Sequence, residues 1–137
     1  MILVSACLIG MSCRYDGSDN KNEKVLKYLE GKTWMPVCPE QMGGLKTPRD
    51  PAEIIKDRVV TKSGQDVTAE FVRGADEVAR LARMVGANKA ILKSRSPSCG
   101  SGHIYDGSFS KRLIAGDGLT TRALMKMNLL VQSEEDL

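Results

Sequence analysis

Four cysteines, Cys7, Cys13, Cys38 and Cys99, are the residues of this chain best suited to chemistry. Thiolates hold soft metals and iron–sulfur clusters, or attack as nucleophiles. Their spacing narrows that choice. Cys7 and Cys13 form a Cys-x5-Cys pair, and gaps of 24 and 60 residues precede Cys38 and Cys99. Structural zinc sites bring paired Cys-x2-4-Cys knuckles, thioredoxin-type sites bring Cys-x-x-Cys, and ferredoxins bring tight cysteine runs. None of these is present. What remains is a site whose ligands arrive singly from separate loops, or four buried thiols acting as small hydrophobes.

The neighbours of these cysteines favour a site. Cys38-Pro39-Glu40 places a carboxylate two residues from a thiol. Ser96-Pro97-Ser98-Cys99-Gly100-Ser101-Gly102 is rich in hydroxyls, and its glycines let backbone N–H groups approach cluster sulfurs closely. His103 is the only histidine, which excludes a His-based triad or a His-rich metal site. It is expected at the surface or as a hydrogen-bonding neighbour of the site. Tyr15-Asp16-Gly17-Ser18 recurs as Tyr105-Asp106-Gly107-Ser108. Because the flanking residues differ, each copy reads as an Asp-Gly turn rather than as a duplication.

The elements that must carry these residues are short. Cys7 ends the apolar run Met1 to Ala6, Cys38 ends Thr33 to Val37, and Cys99 follows Ala90 to Lys93 by a Ser/Pro stretch. Each run reads as a buried strand, over about 2–6, 33–37 and 89–93, with Pro36 marking a bulge or an edge. Helices are expected over about 22–30, 69–85 and 119–127, with a last strand at 129–131. The second helix carries Phe71, Val72, Ala75, Val78, Ala79, Ala82 and Val85 at helical spacing, with Thr68 as its expected N-cap. Residues 58–61 and 65–67 read as a hairpin around Ser63-Gly64, and Pro39 to Lys56 as a long irregular segment.

Strands alternating with helices imply an α/β fold. We expect one domain over residues 1–137, with a mostly parallel sheet flanked by helices in a Rossmann-like three-layer arrangement. In such sheets ligands bind at the carboxyl ends of the strands, so the cysteine loops gather at one edge.

Composition excludes several function classes. A net charge of +3 with no long Lys/Arg run, and only 4% aromatic residues, makes a nucleic-acid partner unexpected. No apolar stretch approaches the roughly 20 residues of a membrane span. The first apolar run lacks a basic region before it and reads as a strand rather than a signal peptide. A cytoplasmic location is therefore expected, where thiols stay reduced and are metal-binding or catalytic more often than disulfide-linked.

Four ordered motifs then resemble one family. Ser5-Ala6-Cys7-Leu8-Ile9-Gly10 with Cys13-Arg14-Tyr15-Asp16-Gly17, Val37-Cys38-Pro39-Glu40, Thr47-Pro48-Arg49, and the Ser96 to Gly102 loop are similar to the thiouracil desulfidases. The resemblance implies a [4Fe-4S] cluster held by three cysteines, leaving one iron open. Four candidates stand for three places: Cys7, Cys38 and Cys99 are expected to ligate, with Cys13 the alternative. It also implies a non-redox desulfuration of a small thiolated pyrimidine to uracil and hydrosulfide. Glu40 would activate water and Ser96 would orient substrate or water. Ser98, Ser101 and Arg49 would contact the substrate, with Arg14 lining the same pocket. Two other classes predict differently. A non-catalytic zinc or cluster module would use all four cysteines in a closed site, and a thiol enzyme would work without metal.

Overall fold

The computed structural model describes residues 1–137. In chain order the elements are β1 (Ile2–Ser5), a 3-10 turn (Ala6–Ile9), α1 (Glu23–Leu29), β2 (Trp34–Val37), α2 (Pro39–Met42), β3 (Ala52–Ile55) and β4 (Arg58–Thr61). They continue as α3 (Thr68–Val85), β5 (Lys89–Leu92), β6 (His103–Tyr105), β7 (Leu113–Ala115), α4 (Leu119–Lys126), β8 (Leu130–Ser133) and a closing 3-10 turn (Glu134–Asp136).

Successive side chains of a strand point to opposite faces, and here that period sorts the apolar residues into two cores. On β1, Ile2 and Val4 pack with Ile91 against Val25 and Leu29 of α1. Leu3 packs on the other face, with Ala90 and Leu92, against Val78 and Ala82 of α3 and Leu124 of α4. The result is three layers around a four-stranded parallel sheet ordered β2-β1-β5-β8, the expected class of fold. Pro36 sits on β2 at the sheet's edge, where a missing N–H is tolerated.

The register brings the carboxyl ends together. Ser5 lies opposite Val37, so Cys7 and Cys38 leave adjacent strands within a residue or two of the same edge. Leu92 lies opposite Ser133, which sets the closing turn beside the chain leading to Cys99.

Three expectations about the middle of the chain need correction. Pro39 to Lys56 is not irregular throughout, since it contains α2 and β3. The partner of β4 is β3, antiparallel, with the turn at Lys56-Asp57; of the expected pairing with residues 65–67 only a Val60–Asp66 bridge remains. The physical reason is burial. Pairing with β3 places Ile54 and Val59 together under Phe71 of α3, in a third core with Val67 and Ile104. Thr68 begins α3 rather than capping it; its N–H is taken by the Asp66 carboxylate at 2.9 Å, and its hydroxyl accepts the Val59 N–H at 2.8 Å. A further hairpin, β6–β7, is not among the expected elements: its strands are three residues each and the Asp106-Gly107 turn is followed by a longer polar loop before β7.

The short helix α2, which bears Glu40, is seated on α3 by two glycines. A Cβ on Gly74 would stand 2.0 Å from the Pro39 carbonyl oxygen, and one on Gly43 would stand 2.0 Å from that of Glu70. Backbone therefore meets backbone at this crossing. Gly74→Ala should push α2 outward and destabilise the protein by about 1–3 kcal/mol, the usual consequence of overpacking. Urea unfolding checks this, and an unchanged midpoint would show that α2 is free to shift.

Candidate functional site

At the carboxyl edge of the sheet lies a cavity of about 470 Å³, and all four cysteines line it. They are free thiols. Cys7 enters from the turn after β1, Cys38 from the junction of β2 and α2, Cys13 from the loop before α1, and Cys99 from the loop after β5. Cys13 and Cys99 are buried, while Cys7 and Cys38 are partly accessible.

Donors are arranged around the sulfurs. The Ser5 hydroxyl accepts the Lys93 N–H at 2.9 Å, which leaves its proton free to point at Cys99 Sγ, 3.4 Å away. Asn20 Nδ2 donates to Cys7 Sγ at 3.5 Å. The Cys99 backbone is pinned on both sides, its N–H to Ser96 Oγ at 2.7 Å and its C=O to the Thr121 hydroxyl at 2.8 Å. Burial pushes the Cys99 thiol up to about 12 and also raises that of Cys7. Cys13 and Cys38 share a hydrogen bond that brings Cys38 down to about 7 and drives Cys13 upward. Cys7, Cys13 and Cys99, raised in this way, hold their protons unless positive charge is brought to them, as a metal centre would do, whereas Cys38 is the readiest of the four to ionise.

Glu40 stands in the same cavity at the first turn of α2. Its carboxylate is clamped from two sides, with Arg49 Nε 3.0 Å from Oε1 and the Ser98 hydroxyl 2.9 Å from Oε2. Ser96 Oγ lies 3.3 Å from Ser98 Oγ. Ser96 already accepts the Cys99 N–H, so its own proton can go to Ser98, and a chain Ser96–Ser98–Glu40 results. Arg49 has its side chain 9% exposed, against 18% for Glu40. The guanidinium also reaches the Cys13 carbonyl at 2.8 Å, Thr47 Oγ1 at 2.9 Å and the Lys46 carbonyl at 3.3 Å. Its donors are spent on the protein, and they tie the Cys13 loop to Glu40.

The other residues singled out from the sequence divide. Ser96, Ser98, Arg49 and Arg14 line the cavity; Ser101 and His103 do not, and His103 is exposed at the start of β6. Asp16 serves its turn, accepting the Ser18 N–H at 3.0 Å. The repeated Tyr-Asp-Gly-Ser segments are both such turns, and each sends its tyrosine, Tyr15 or Tyr105, into the cavity wall. Sequence reasoning missed Glu53, Lys62, Lys93, Phe109 and Lys111, which also line it. Lys93 lies one residue past β5, a position that could have signalled the site. It is held near the closing turn, whose buried Glu134 accepts the Ser94 N–H at 2.6 Å and sits 3.6 Å from Lys93 Nζ.

No three Cys, His, Asp or Glu side chains come close enough to share one metal ion. A cubane presents its irons at separate corners, so its cysteines need not meet around a single ion, and all four thiols line this one cavity. No helix is long and apolar enough to cross a membrane.

Comparison with known proteins agrees with the geometry. The chain is 44% identical to the uncharacterized protein YbbK of Bacillus subtilis (strain 168), over all of this chain and 97% of that one. It superposes on the solved structure of the [4Fe-4S]-dependent thiouracil desulfidase TudS with a TM-score of 0.93 and 48% identity, over 99% of this chain and 91% of the other. A model of the 2-thiouracil desulfurase family matches residues 2–136. With every motif of the site inside that match, the chain belongs to the 2-thiouracil desulfurase family.

Proposed function

We propose that this protein is a thiouracil desulfidase, a single domain over residues 1–137 that converts a small thiolated pyrimidine to uracil and hydrosulfide. The observation that carries the reading is a carboxylate, Glu40, fixed by Arg49 and Ser98 in the cavity that four thiols line. The donor set suits a [4Fe-4S] cluster, being thiols from separate loops with N–H and O–H groups aimed at two of the sulfurs. Cys7, Cys38 and Cys99 would hold it, and Cys13 would be the spare. When bound, the cluster supplies a Lewis-acidic iron without a protein ligand, which polarises the thiocarbonyl.

The chain's own residues supply the rest. Glu40 takes a proton from water, whose oxygen bonds to the thiocarbonyl carbon; the carbon–sulfur bond then breaks and sulfur departs as hydrosulfide. No electron acceptor is required. Ser98 and Ser96 keep Oε2 aimed into the cavity and offer a path for the proton. Arg49 acts through Glu40 rather than on the substrate. Substrate contacts fall to Ser98, since Ser101 lies off the cavity wall. A cavity of about 470 Å³ is of the size that encloses a small heterocycle, which favours a free base over a large RNA. The reduced thiols such a site needs fit a cytoplasmic setting.

Anaerobic iron and acid-labile sulfide analysis of the reconstituted protein, beside Cys13→Ser and followed by thiouracil turnover, tests this. About four irons and four sulfides retained in both, with turnover, support the assignment. Iron lost only in Cys13→Ser makes Cys13 a ligand and unseats one of the three. Zinc in place of iron, with no turnover, returns the closed four-cysteine module, although a cavity beside the thiols speaks against it. Activity in metal-free protein returns the thiol enzyme. Arg49→Ala should lower kcat by about 100-fold through misplacement of Glu40, with KM little changed. Lysine should not rescue it, because an ammonium lacks the fork that spans Glu40 and the Cys13 carbonyl.

A further inference from the structure

Phe109 is a ring that the protein's cores leave out. Phe71, the other phenylalanine, is fully buried beneath the hairpins, whereas Phe109 is partly buried, joins none of the three cores and lines the cavity. Its backbone is left-handed, with φ of 57°, a conformation that bulky residues avoid. Such strain persists only where the surroundings over-determine it.

Glu53 is what over-determines it. This β3 residue is only 8% exposed, and its Oε1 accepts the N–H of Gly107 at 3.0 Å and that of Phe109 at 3.1 Å. A buried carboxylate is unfavourable unless it is hydrogen-bonded, and here both donors come from one loop. The loop is closed below by the Asp106 N–H on the Arg112 carbonyl at 2.9 Å. The carboxylate thus serves to fix a segment that ends in an aromatic ring at the cavity.

We infer that Phe109 determines specificity by presenting its ring face to the planar pyrimidine, and that Glu53 is the positioning residue holding the ring there. The inference takes its substrate from the desulfidase reading. A pyrimidine has a polar edge and two apolar faces. Glu40 and Ser98 lie where they address the edge, and an aromatic wall addresses a face. Tyr15 and Tyr105 line the same cavity but carry hydroxyls, and the Arg14 guanidinium already lies 5.6 Å from the Tyr15 ring centre. Phe109 has no polar group to satisfy.

The test uses cluster-loaded protein, with uracil binding measured by calorimetry and 2-thiouracil turnover by steady-state kinetics. Phe109→Ala should raise the uracil Kd and the thiouracil KM by about tenfold, the scale of one aromatic stack, with kcat within about twofold. Phe109→Tyr should stay near the parent. Glu53→Ala should reproduce the KM shift, and Glu53→Gln, which keeps an accepting oxygen, should restore it. An unchanged Kd and KM in Phe109→Ala, at parental iron content and melting temperature, overturns the inference. So does a fall in kcat at constant KM. If Glu53→Ala does not fold, the Phe109 pair and Glu53→Gln decide. A parent that binds uracil with a Phe109-dependent Kd but turns over no thiouracil defeats the desulfidase reading and leaves the stacking inference standing.

Discussion

Glu40→Gln is expected to lower kcat for thiouracil by about 100-fold to 10,000-fold, the range a general base contributes, while leaving iron content and KM unchanged. The size and selectivity of that effect follow from the clamp. Glutamine has the shape of glutamate, so its carbonyl oxygen can keep Arg49 and its amide can face Ser98, whose hydroxyl turns to accept. The side chain stays in place and only its basicity is lost. The neighbouring Cys38 is unaltered, so the metal centre should load as in the parent. Anaerobic steady-state kinetics with parallel iron analysis separate the outcomes. A variant with full iron and parental kcat would show that water is activated by another group and would leave Glu40 a structural carboxylate.

The second large effect is expected from Cys99→Ser, which should lose most of the iron and reduce turnover to background. Cys99 is the thiol most firmly built into the fold, in contact with the Leu3 and Leu124 core and pinned at N–H and C=O. Burial holds its proton so tightly that only a strong local positive charge would convert it to the thiolate. A serine hydroxyl fits the same space but is far less acidic and a poor ligand for iron–sulfur chemistry. The loss therefore reports ligation rather than collapse, and far-ultraviolet circular dichroism should match the parent. Cys7→Ser and Cys38→Ser should behave alike, in contrast to Cys13→Ser. Retention of all iron in Cys99→Ser would remove it from the ligand set and turn attention to Cys13.

Much of this site was legible because its chemistry is local. The strands before Cys7 and Cys38 and the long helix α3 announce themselves by apolar runs and a helical period, and strand ends in parallel sheets converge whatever the loops do. Glu40 was legible for a similar reason, since its distance from Cys38 is set by two peptide units. The hairpins were not. β3 has only four residues, its turn Lys56-Asp57 lacks the glycine that marks a tight hairpin, and β7 exposes all three of its side chains, so no burial pattern signals it.

Arg49 shows where sequence reading stops. Its type and its Thr-Pro-Arg setting pointed to a substrate contact, yet its donors are taken up by Glu40, Thr47 and the carbonyls of Cys13 and Lys46. Which acceptors an arginine meets depends on how a distant loop folds back over it. The same holds for Glu53 on the Phe109 loop and for Glu134 beside Lys93, pairs separated by 56 residues and by about forty. The sequence by itself determined the donor set, the parallel sheet and the edge at which the cysteines meet, because periodicity and residue chemistry act over a few neighbours. Only the tertiary structure decided which charged side chains face the cavity and which are spent holding the others still, because hydrogen bonds are satisfied in three dimensions and their partners here lie far apart along the chain, 56 residues in the case of Glu53 and Phe109.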